Sequence, residues 1–157
     1  MLKRIISKNS HGSLPTDRCW LNIEHLASVE ITSEEAEHPI ESALILAETT
    51  GWRAAEAGAQ TIRLLFNQPM VLRRIYLVFQ EDERERTQEF VLGWSKNAAE
   101  PCEEIVRQQY TFAPPGTTQE IEDYAVNLNG VKVLELTIIA DIGGRDARAS
   151  LKAMRLA

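Results

Sequence analysis

The chain has 157 residues, 44% apolar and 25% charged, which suits one globular domain with a proper core and excludes a disordered or collagen-like polymer. It carries 23 acidic against 17 basic residues, a formal charge of −6, so it lacks the Lys/Arg excess by which a duplex-binding domain neutralises phosphates. Cys19 and Cys102 are the only cysteines and form no CxxC pair, a usage that fits reduced thiols in a cytosolic protein better than a disulfide framework.

In chain order, the start "MLKRIISKNSHGSLP" has a single short apolar run, Ile5 and Ile6, well below a signal-peptide core. No later stretch is long enough to cross a bilayer, so the expectation is a soluble cytoplasmic protein. The turn-rich "SKNSHGSLPTD" marks 1–17 as a flexible arm and 18–157 as the domain. "TSEEAEHPIESAL" has room for one short helical turn before Pro39. From there strand alternation dominates. "QTIRLLF" sets Ile62, Leu64 and Phe66 on one face, "RIYLVF" sets Ile75, Leu77 and Phe79, and "QEFVLGW" sets Phe90, Leu92 and Trp94. "YAVNL" aligns Tyr124, Val126 and Leu128, and "VLELTII" aligns Leu134, Leu136 and Ile138.

The segment "AEPCEEIVRQQYTF" carries a helix-start signal at Pro101, yet it alternates with Val106, Tyr110 and Phe112 on one side and is read as a strand. Asn67–Pro69, Glu81–Arg86, Pro114–Gly116, Asn129–Gly130 and Gly143–Gly144 punctuate the strands as turns. This pattern predicts an all-β fold, an antiparallel β-sandwich or jelly roll of about eight strands.

Motifs for chemistry are scarce. His11, His25 and His38 form no metal-binding spacing, and there is no nucleophile elbow, Walker loop or dinucleotide fingerprint. The run "QEDERERTQEF" collects carboxylates, but alternating opposite charge at a hairpin tip reads as a solvated turn. Arg86 and Gln88 stand where that loop becomes a strand, a place from which polar side chains can be aimed into a cleft. Trp52 lies outside every alternation, in a Gly- and Ala-rich connector. It is either a platform for a ligand or a wedge that closes the core. Arg53 beside it becomes a positioned contact or one half of an ion pair with the acidic 81–89 loop. Arg145, next to the Gly143–Gly144 turn, is a further loop candidate.

"HPIESAL…TTGWRAAEAGAQTIRLLFNQPMVLRRIYLVF", "TQEFVLGWS" and "VKVLELTIIADIGGRDARASLKAMRLA" together resemble the coagulation factor V/VIII type C, or discoidin, family with its galactose-binding-like jelly roll. The resemblance runs from about Ser28 to Ala157, and it implies that Trp52 stands just before an entering strand, where the ring packs against the end of the barrel as a wedge. It implies a non-catalytic binding module, with carbohydrate as the first ligand class and loops at one end of the sandwich as the site. Trp52, Arg53, Arg86, Gln88 and Arg145 are the residues placed to serve it. The alternative is a cytoplasmic protein-interaction or assembly domain on the same scaffold.

The family often holds a structural calcium near its first loop. Its usual Asp-Gly pair is absent from "ILAETTGW", where Glu48 or Thr49 would have to substitute. A hard cation wants several oxygen ligands, so no metal and no cofactor are expected.

Overall fold

Two long, bent strands organise the structure, a computed structural model that describes residues 20–48 and 50–157. The expected arm over 1–17, with His11, as well as Cys19 and Thr49, lies outside the described residues. The first long strand, β3 (Ala59–Gln80), pairs antiparallel with the second, β6 (Gln119–Ile139), from Ala59 opposite Ile139 to Gln80 opposite Gln119.

The stretches expected to break the chain at Asn67–Pro69 and Asn129–Gly130 are bends within these strands instead. Register shifts cluster between Leu65 and Arg74, because Pro69 has no ladder N–H to donate. On the partner strand Gly130 takes φ +76°, a backbone region that side chains resist.

The bends let each long strand serve two layers. Before its bend β3 pairs with β1 (Ala27–Ile31); after its bend β6 pairs with β4 (Arg86–Ser95), which in turn pairs with β5 (Glu103–Phe112). The far half of β3 pairs instead with β8 (Ala153–Leu156). A separate two-stranded ribbon joins β2 (Trp52–Ala57) to β7 (Arg148–Leu151).

Ile62, Leu64 and Phe66 from one arm of β3 and Ile75, Leu77 and Phe79 from the other are buried in a single cluster, so the two layers share one core. The Phe79 and Phe90 rings stack across it at 5.0 Å. Each such side chain gains about 1.5–3 kcal/mol by leaving water, which is why the alternation sets the fold. The expected antiparallel β-sandwich is therefore observed, with eight strands.

Two local expectations are corrected. The helical turn lies after Pro39 rather than before it, as α2 (Glu41–Leu44), while a further turn, α1 (Ile23–Leu26), precedes β1. A residue preceding proline is pushed out of the helical region, and the Glu34 carboxylate accepts the Ile40 N–H at 2.8 Å to start the turn there. Trp94 keeps the core-facing side of β4, opposite the buried Leu134, and packs against the core as a half-buried ring. The 81–85 segment is no hairpin tip, since β3 and β4 do not pair; it is a crossover between layers.

Candidate functional site

The N-terminal end of β2, the 81–85 crossover and the β7–β8 corner meet at one end of the sandwich. Gly51 makes this approach possible. It holds φ +75°, and a Cβ built on it would stand 2.9 Å from the Leu151 carbonyl oxygen. Trp52 then turns into the core with 1% of its surface exposed and donates its Nε1–H to the Ser33 carbonyl at 3.0 Å. It borders the end cleft from beneath and presents no ring face to a ligand. Burial of a large ring with its one polar atom satisfied is the wedge. Trp52→Phe is expected to lower stability by about 1–2 kcal/mol, through the lost hydrogen bond and a small void, and to leave ligand affinity unchanged. Urea unfolding and a binding titration check both halves.

Arg86 and Gln88, expected to reach a ligand, are also buried. Arg86 is fully inaccessible; its Nε donates to Glu81 at 2.8 Å, and its other nitrogens donate to the Gln88 Oε1, the Ala140 carbonyl and the Ser150 Oγ at 3.0–3.2 Å. Its guanidinium also lies 4.8 Å from the Phe112 ring centre. Burial pulls its pKa below the ordinary arginine value, while the Glu81 hydrogen bond and charge push it back up. Gln88 passes the network inward by donating to Glu120 at 2.8 Å. The ends of the charged run thus point into the protein, and only 82–85 are solvated as expected.

Arg145 is exposed and lines neither end cleft; its Nη1 donates to the Glu85 carbonyl at 3.1 Å. Asp141 beside it is buried and accepts the Thr87 and Arg145 amides at 3.0 and 3.1 Å, which hold its carboxyl below the usual range. Asp141→Ala is expected to cost about 1–3 kcal/mol by orphaning these amides, as measured by urea titration.

Arg53 alone of the expected site residues opens on the surface clefts. It stands in the wall shared by a cleft of about 260 Å³ and a neighbouring one of about 180 Å³. Its guanidinium lies 4.0 Å from Glu35 and 3.9 Å from Glu83, so the expected ion pair with the acidic loop is present but loose. Lys152 lines the larger cleft and Arg148 the smaller, and neither has a side-chain partner among the described residues. Both escaped the sequence reading, since nothing in "ARASLKA" distinguishes a cleft cation from a solvated one. Of the two residues that would have to substitute in a calcium site, Glu48 is exposed and Thr49 lies outside the described residues, and among the described residues no three His, Cys, Asp or Glu side chains converge.

Solved structures share this architecture. CBM32-3 from a family 31 glycoside hydrolase of Clostridium perfringens superposes with a TM-score of 0.66 at 17% identity, over 87% of this chain and 93% of that one. The fold is the antiparallel β-sandwich seen in that module. The C. perfringens NanJ family 32 module, in complex with galactose, gives 0.62 at 14% identity, over 87% of this chain and 96% of that one. The CBM32 of AlyQ, in complex with 4,5-unsaturated mannuronic acid, gives 0.61 at 14%, over 84% and 95%. No family model and no curated protein matches the sequence. At such identities the likeness is one of fold.

Proposed function

We propose that this chain is a non-catalytic, discoidin-type carbohydrate-binding module whose ligand occupies the larger end cleft. The observation that carries the reading is that cleft, about 260 Å³, at the loop end of a module-type sandwich, with Arg53, Lys152 and Asp82 in its lining. Such a set can donate to and accept from the hydroxyls of a sugar ring. Solved modules of this architecture in complex with 4,5-unsaturated mannuronic acid and with galactose are matched over nearly their whole length, which supports the same class here. Glu81, the buried carboxylate beside the cleft, is committed to Arg86 and to the Glu83 amide, a structural duty that argues against acid–base chemistry.

A glycan array probed with wild type, Arg53→Ala and Asp82→Asn tests the proposal. We expect saccharide binding that weakens at least tenfold in either variant. A folded wild type that binds no glycan, or binds one indifferently to both substitutions, overturns it. In that event a reproducible protein partner from a pull-down moves the reading to the assembly-domain alternative.

A further inference from the structure

The larger sheet ends on β5, and among the described residues β4 is the one strand that pairs with it. Hydrogen bonding on β4 shows which backbone groups this edge leaves open. Thr87 turns both of its groups away from β5 and toward the end of β6. Its N–H donates to the Asp141 carboxylate at 3.0 Å, and its carbonyl accepts the Ile142 N–H at 2.8 Å. Thr111, opposite Thr87, therefore belongs to a pair without ladder bonds and points its own N–H and C=O outward. The register is unbroken from Thr87 to Leu92, so Gln109 and Arg107 repeat this arrangement on alternate positions.

Both ends of the edge are closed. The Thr117 hydroxyl donates to the Thr111 carbonyl at 3.1 Å, and Ile105 is the extra residue of a bulge between Val106, opposite Leu92, and Glu104, opposite Gly93. Between clip and bulge, the N–H and C=O of Arg107 and of Gln109 have no partner among the described residues. An edge with open donors and acceptors is a template for another strand.

The side chains of this edge suit a second copy of itself. In an antiparallel pairing centred on Gln108, Arg107 meets Gln109 of the second copy and Gln109 meets its Arg107. Every open group on both copies is then satisfied. On the core side Val106 meets Tyr110, both half-buried against the core, and Gln108 meets Gln108. A slip of two residues one way sets Arg107 against Arg107, a like-charge pair. The opposite slip calls on the Thr111 carbonyl, which Thr117 already holds.

We propose that this chain forms a two-fold dimer through β5, joining two sheets into one across Arg107–Gln109. No β5 residue lines either end cleft, so dimerisation and ligand binding are separate properties. So short a contact buries less than the roughly 1,200 Å² of a stable interface, and the dimer forms only in concentrated protein. Each copy carries a formal charge of −6, so the dimer tightens as salt screens the repulsion.

Sedimentation equilibrium from about 10 μM to about 1 mM, with amide hydrogen exchange at both limits, tests this. Wild type should pass from monomer to dimer, more readily at about 500 mM salt than at about 50 mM. The Arg107 and Gln109 amides should exchange freely in dilute protein and roughly tenfold more slowly when concentrated, while the Gln108 amide, bonded to β4, stays protected throughout. Gln109→Pro removes an outward N–H and no ladder bond, so it should fold and dimerise roughly tenfold more weakly. Gln109→Ala keeps that N–H and should dimerise as wild type does. Gln108→Glu and Gln108→Lys each set like charges across the axis and should be monomeric alone, whereas their equal mixture should dimerise. That pair decides the matter if the proline variant does not fold. A wild type that is monomeric at every concentration, a folded proline variant that dimerises normally, or a mixture that does not pair overturns the proposal. Protection of the Arg107 and Gln109 amides that ignores concentration also overturns it, because residues of the same chain would then cover the edge.

Discussion

Arg86→Met should destabilise the protein by about 3–5 kcal/mol, a large part of the 5–15 kcal/mol by which a domain of this kind is stable. The side chain is fully buried and donates to four different acceptors, on the 81–85 crossover, β4, the end of β6 and β7. Removing it leaves the Glu81 carboxylate without its cation and three further oxygens without donors, and a buried group so orphaned costs more than the pair contributed. The effect reaches the site, because Glu81 and Ser150 border the larger cleft. Equilibrium urea unfolding measures the loss. Adding Glu81→Gln to Arg86→Met should recover part of it, since that double change removes the stranded charge. A loss below about 1 kcal/mol in the single variant would show that the network is incidental.

Glu120→Gln should raise stability at pH 8 by roughly 2–3 kcal/mol and flatten its dependence on pH between about 5 and 8. Glu120 is buried, takes a hydrogen bond from Gln88 on one oxygen and has no donor on the other. Burial first, then the hydrogen bond and charge of Glu122, raise its pKa from 4.5 to about 7, against the opposing pull of Gln88 and Arg86. A proton on Glu120 resolves the orphaned oxygen, because it can be shared with Glu122, whose Oε2 accepts the Tyr124 hydroxyl at 3.1 Å.

The unfolded chain releases this proton near 4.5 and the folded one near 7, so the folded state holds an extra proton between those values. The pair's contribution is full below pH 4.5 and fades as pH rises through 7. Asp123 and Asp141, whose carboxyls are held low, act in the opposite sense and lose their contribution as acid protonates them. Stability should therefore peak in mildly acidic solution. A glutamine at 120 keeps an acceptor for Gln88 and supplies Glu122 with a donor that does not titrate. Thermal unfolding from pH 4 to 9 decides the matter, and an unaltered profile in the variant would place the titration elsewhere.

The strands were legible in the sequence because a half-buried strand must alternate. Ile62, Leu64 and Phe66, or Leu134, Leu136 and Ile138, face the core wherever their strands are paired. The two-layer sandwich follows from that pattern and from the chain length, whereas the residues around Trp52 left platform and wedge open and only the family resemblance favoured the wedge. Tertiary structure decided what local pattern leaves open. Pro69 and Gly130 read locally as chain breaks, yet they lie in paired strands and only bend them, which is visible only when the partner strand is in place. Arg86 and Gln88 read as polar side chains aimed into a cleft, and the burial of Arg86 depends on oxygens contributed from as far along the chain as Ala140 and Ser150. The larger end cleft has the same origin. Arg53 and Ser150 lie 97 positions apart and meet through a register that hydrogen bonding between β2 and β7 sets. The alternation of a sequence determines which side of a strand is dry; which polar groups then face one another depends on how distant strands pair.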